Sequence, residues 1–136
     1  MFGHLEEHLP VYDIAALSEA LNADSRLLDN LLSRNDIEGV ERRARGVTRR
    51  VTLEAAVTIR IALDLANALK IPFARALSVG TALAAENGME FPVGAFGLLR
   101  FDVPAIRRFT LQQLDAAVET VGRRRRGRPP KLPLTG

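Results

Sequence analysis

Glu41-Arg42-Arg43-Ala44-Arg45-Gly46-Val47-Thr48-Arg49-Arg50 is an arginine-studded loop that lies directly behind two short amphipathic segments. Reading outward, Asp13 to Leu21 carries Ile14, Leu17 and Leu21 at helical spacing, with Asp13 placed to cap the helix. Asn22, Ala23 and Asp24 form a polar break, and Asp24 or Ser25 caps a second helix running to Asn35. Leu27, Leu28, Leu31 and Leu32 make its expected buried stripe, leaving Ser25, Arg26, Asp29, Asn30, Ser33 and Arg34 outside. Two short helices joined by a tight polar turn predict a helix-turn-helix over Val11 to Val51. In the loop behind them, Gly46 supplies a turn, and Val40 to Arg42 and Thr48 to Val51 can pair as strands of a small wing.

Composition narrows the classes. At 136 residues there is room for one compact domain and a tail. The apolar share is 47%, dominated by Ala and Leu, and only 5% is aromatic, so a mainly α fold is expected. The absence of Cys excludes disulfides, thiolate catalysis and cysteine-based metal or redox sensing. Met1 to Glu7 lacks the pattern of a signal peptide, and the apolar run Ile59 to Leu69 is short and broken by Arg60 and Asp64. A soluble, cytoplasmic protein with no membrane partner is the expectation. His4 and His8 are four apart, but no third ligand is apparent, so solvated side chains outweigh a metal site. With no Gly-rich phosphate loop and no paired carboxylates in an apolar setting, neither an enzyme nor a cofactor is expected.

The net charge of +3 conceals a strong clustering. Of 19 Lys and Arg, 11 occupy two short stretches: Arg42, Arg43, Arg45, Arg49 and Arg50 in the loop, and Arg123, Arg124, Arg125, Arg126, Arg128 and Lys131 near the end. Such clustering suits a polyanion, and 17 of the 19 are Arg, the better residue for bidentate phosphate and guanine contacts. On the second helix, Arg26, Asn30 and Arg34, with Ser25, have the chemistry to read guanine and adenine edges in a major groove. Against this, any amphipathic helix has a polar outer face, and Asp29 on that face would repel phosphate. For the five loop arginines, phosphate contact is favoured over solvated charge, because they follow the two-helix pattern and flank a turn.

Thr52 to Lys70 predicts the longest helix, capped by Thr52, with Ala55, Ala56, Ile59, Ala62, Leu63, Ala66 and Leu69 as its stripe. Ile71-Pro72 ends it, and a second helix, Phe73 to Glu86, stops at Asn87-Gly88. This helical hairpin serves as core, as a dimer surface, or as both. Phe91 to Val103 reads as a small hairpin or as a loop packing on a partner subunit. Pro104 to Phe109 predicts one helical turn, Thr110 caps a last helix Leu111 to Val121, and Gly122 ends it. The basic, Pro/Gly-rich remainder is expected to be disordered alone. The division is then a flexible leader (1–10), the two-helix unit with its hairpin (11–88), a packing or dimerisation extension (89–122) and a tail (123–136).

Asp13 to about Ala85 resembles the DNA-binding region of the MerR-like winged-helix superfamily in the order of its elements. Arg45-Gly46-Val47-Thr48-Arg49-Arg50-Val51-Thr52-Leu53-Glu54 looks like that family's wing and its exit into the next helix. Val47 and Val51 stand where the family usually has aromatics, and there are no effector-binding cysteines and no long coiled coil. The resemblance implies a winged helix-turn-helix and DNA binding, but no metal or drug sensor. Arg124-Arg125-Arg126-Gly127-Arg128-Pro129-Pro130-Lys131 looks like an AT-hook, whose Arg-Gly-Arg-Pro core lies extended in an A·T minor groove. A generic basic tail is the competing reading.

The leading expectation is therefore a sequence-specific regulator of transcription, bacterial or phage, nucleoid-associated and homodimeric, with double-stranded DNA as its partner. The competitors are an architectural or mobile-element DNA protein (excisionase-like, nucleoid or packaging factor) and an adaptor that touches RNA polymerase or another DNA-binding factor.

Overall fold

The computed structural model describes residues 12–41, 49–86 and 90–127, and within them all side chains except those of Glu86 and residues 125–127. The order is β1 (Tyr12–Asp13), α1 (Ile14–Leu21), α2 (Ser25–Arg34), β2 (Arg50–Val51), α3 (Leu53–Leu69), α4 (Phe73–Glu86), β3 (Glu90–Val93), β4 (Gly97–Arg100) and α5 (Val103–Gly127). The fold is mainly helical with two small two-stranded sheets.

Local chemistry starts the first three helices. Asp13 accepts from the Ala16 amide at 2.9 Å, Asp24 from Leu27 at 3.0 Å and Thr52 from Ala55 at 3.0 Å. Each satisfies an amide that the helix itself leaves unpaired. Between α1 and α2 the chain reverses through Asn22 in the left-handed region (φ 52°), a conformation that Asn tolerates better than most residues. Lys70 takes the same conformation (φ 57°) and ends α3 one residue before Ile71.

Helix α3 is the centre. Ala55, Ala56, Val57, Thr58 and Ile59 are buried in succession, because neighbours surround its first half. Its far end emerges, so Leu69, expected in the stripe, is exposed. Helix α4 lies along α3 at a close approach set by Gly80, where an added Cβ would sit 3.1 Å from the Thr58 carbonyl oxygen. Helix α5 folds back over α1 and α3, and Val103, Thr110, Leu114 and Ala117 enter the same core as Leu17 and Ile59.

The course of α5 corrects three expectations. It begins at Asp102, whose carboxylate accepts from the Ala105 amide at 3.1 Å, with Pro104 in the first turn, where its missing N–H is not needed. Thr110 is no cap but a fully buried residue within the helix. Gly122 does not end it either. A right-handed helical glycine costs only about 1 kcal/mol, and the helix continues for 25 residues in all, longer than α3. The part of the expected disordered tail from 123 to 127 is therefore helical. Residues 128–136 and the leader 1–10, with His4 and His8, lie outside the described residues.

Residues 90–100 form a hairpin with Phe91 opposite Leu99 and Pro92 opposite Leu98. Phe91 and Leu99 lean on the core, while Phe96 at the turn is fully exposed. Among the described residues no helix is long and apolar enough to cross a membrane.

Candidate nucleic-acid interface

Helix α2 buries Leu28 and Leu32 and turns Ser25, Arg26, Asn30, Ser33 and Arg34 outward, all of them exposed. One leucine departs from the expected stripe. Leu27 is 49% exposed, because α2 packs on α1 along a narrow seam that two leucines fill. Leu31 is half-buried.

The strands behind α2 meet at Val51. On one side β1 pairs with β2, Tyr12 opposite Val51 and Asp13 opposite Arg50. On the other, Val40 bridges to Val51, and the Glu41 amide donates to the Arg50 carbonyl at 2.9 Å. Residues 40–41 and 50–51 thus pair, joined by a strand from Tyr12–Asp13 that the sequence did not suggest. Arg42, Arg43, Arg45 and the Gly46 turn lie outside the described residues.

Two expected phosphate contacts are occupied internally. Arg49 is only 7% exposed. Its Nη2 donates to the Ser33 hydroxyl at 3.2 Å, and its Nε lies 3.7 Å from the Asp29 carboxylate, close enough to pair electrostatically but too far for a hydrogen bond. Arg49 therefore fastens the start of β2 to α2. Asp29, which on an open face would repel a polyanion, has its charge matched by Arg49. Arg50 holds Glu41 across the strand pair through two contacts of 3.2 Å, although it remains exposed.

Arg49→Ala is expected to lower stability by about 1–3 kcal/mol, less than a fully buried pair would, because the Asp29 side chain keeps 27% exposure. Urea denaturation of Arg49→Ala, Asp29→Ala and the double variant measures the coupling. Additive losses would remove the fastening role.

Four contacts that the sequence did not reveal tie the first strand and α1 to α3 and α5, and α3 to α5. Arg60 of α3 donates to the Ala20 carbonyl at the end of α1 at 3.1 Å, and its guanidinium lies 5.0 Å from the Phe109 ring centroid of α5. Burial lowers the Arg60 pKa from its ordinary value, opposed by the charge of Asp64. The Tyr12 hydroxyl donates to Asp115 of α5 at 3.3 Å. Burial, with Asp115 beside it, raises the tyrosine pKa. At the far end, Arg124 of α5 meets Glu19 of α1 at 2.6 Å. That pair is exposed and adds little stability, but it brings the basic end of α5 onto α1, near the turn that leads into α2.

Arg124, Arg125, Arg126 and Gly127 thus close α5 rather than lying extended, while Arg128, Pro129 and Lys131 are outside the described residues. A helical backbone cannot lie along a minor-groove floor as an AT-hook does, so the hook would require these residues to unwind. No family model, curated protein or solved structure matches the chain.

Proposed function

We propose that this protein is a sequence-specific, non-enzymatic DNA-binding regulator of transcription, built as a winged helix-turn-helix of the MerR-like kind. In this reading α2 enters the major groove, and the arginine loop behind it grips the flanking phosphates. The observation that carries the reading is the outer face of α2. Arg26, Asn30 and Arg34 stand exposed on a helix capped at its start and fastened to the strand base by Arg49. Their groups match base edges, and the capped, fastened helix would present them without first having to order itself.

The basic end of α5 adds a second element of the proposal. Gly122 and four successive arginines weaken the last turns of the helix, since Gly is a poor helix former and like charges three or four apart repel. Unwinding from Gly122 would free Arg126-Gly127-Arg128-Pro129 for an A·T minor groove, as a tethered module that raises affinity. The protein would bind two half-sites as a homodimer. The hairpin, with Phe96 fully exposed, is the surface we assign to the second copy.

Genome-wide occupancy and footprinting of the full chain, beside an Arg26→Ala, Arg34→Ala double variant, test the reading. Discrete sites sharing a motif are expected for the native chain. The double variant should lose about 1–3 kcal/mol for each bidentate base contact, roughly tenfold or more each, yet still bind DNA weakly at low salt. Unchanged footprints in the double variant would refute the recognition-helix assignment. Diffuse A·T-rich coverage would make the protein an architectural one instead.

A further inference from the structure

Leu27 is the one large apolar side chain of α2 with half its surface open, and it is absent from the hydrophobic core that takes in Leu28 and Leu32. At 3.6 residues per turn, residues 27, 30 and 34 lie on one side of the helix, so Leu27 stands in the strip of Asn30 and Arg34, beside Arg26. It also lies in the first turn, where its own amide donates to the Asp24 cap at 3.0 Å and holds the backbone in place.

An exposed apolar group at the border of a polar reading strip calls for an apolar counterpart. A major groove has one, the 5-methyl group of thymine. A protein partner seated on the leucine would also meet Arg26 and Arg34 along its polar flank, whereas a DNA duplex is attracted by both. Charge thus favours the duplex.

We propose that Leu27 reads a thymine methyl in the major groove, so that the preferred half-site contains a thymine that uracil cannot replace. The inference rests on the DNA-binding reading above and adds a base identity to it. Arg26, Asn30 and Arg34 supply the hydrogen-bonding part of recognition, and Leu27 supplies discrimination by shape.

The test uses the full chain and the tightest duplex recovered from a random library. Each thymine in turn is replaced by deoxyuridine, which removes only the methyl and leaves base pairing and groove hydrogen bonds intact. At one position per half-site the native protein is expected to bind roughly fourfold more weakly, the equivalent of about 0.8 kcal/mol for one buried methyl-sized group. Leu27→Ala, in which the best helix former replaces an exposed leucine, should bind the thymine duplex about fourfold more weakly as well. It should also no longer distinguish thymine from uracil. Leu27→Met should keep the distinction.

Native binding insensitive to uracil at every position would overturn the proposal while leaving the DNA-binding reading in place. So would discrimination that survives in Leu27→Ala, or a Leu27→Ala chain that binds normally but changes its sedimentation, which would mark a protein as the occupant. A library that yields no enriched duplex would overturn both readings at once.

Discussion

A chain ending at Phe101 is expected not to fold. Its loss removes Val103, Thr110, Leu114 and Ala117 from the core and opens the faces of α1 and α3 on which α5 packs. Val103 and Leu114, both fully buried, contribute about 1.5–3 kcal/mol each on burial. The uncovered faces of α1 and α3 lose a similar amount again, so the total approaches the roughly 5–15 kcal/mol that keeps a domain of this size folded. The truncation also removes the bidentate Arg107–Glu54 pair, with both contacts at 2.8 Å, and the Tyr12–Asp115 hydrogen bond. Circular dichroism should then show no cooperative thermal transition. A truncated chain that melts cooperatively would mean that residues 12–100 form a self-sufficient unit, with α5 an appendage. Leu114→Ala is the milder form of the same experiment, with an expected loss of about 2–5 kcal/mol.

Gly39→Val is expected to lower stability by about 2–4 kcal/mol, combining backbone strain with the loss of a helix cap. Gly39 has φ +90°, where a β-branched residue is strained, and an added Cβ would lie 2.4 Å from the Thr52 hydroxyl oxygen. That oxygen caps α3 through the Ala55 amide, and the Thr52 amide in turn donates to the Gly39 carbonyl at 2.9 Å. One substitution therefore disturbs the start of the central helix and the strand bridge of the neighbouring Val40 to Val51. Urea unfolding measures the loss. Thr52→Val, which removes only the capping oxygen, should account for about 1 kcal/mol of it. A Gly39→Val midpoint within about 0.5 kcal/mol of the native one, the range of an ordinary surface change, would mean that the backbone relaxes around the new side chain.

For DNA binding, the two variants separate contributions that the sequence runs together. In the proposed function, Gly39→Val displaces the Val40–Val51 bridge behind α2, whereas Arg26→Ala and Arg34→Ala remove groups from a helix that stays in place. Loss of binding through the first and loss of specificity through the second are the expected signatures.

What could be read from the residues alone was local. Asp13, Asp24 and Thr52 cap their helices through bonds to an amide three residues on, so position in the chain suffices to recognise them. The reversal at Asn22 and the apolar spacing of α1 and α3 are of the same kind, since turn chemistry and helical period act within a few residues, whereas the structure decided between the hairpin and the loop that the sequence left open for Phe91 to Val103. The outward face of α2 with Arg26, Asn30 and Arg34 followed from that period too. Only the tertiary structure decided which of the adjacent Leu27 and Leu28 goes inside, because that depends on where α1 lies against α2. It likewise decided that Arg49 faces Asp29 and Ser33 rather than solvent, and that Arg60 closes the end of α1. A cluster of arginines carries the same charge wherever it points. Its role is set by the carboxylates and carbonyls that distant segments bring beside it. The reach of α5 through Thr110 and Gly122 has the same origin, for weak local helix signals yield to the burial of Val103, Thr110, Leu114 and Ala117 against α1 and α3.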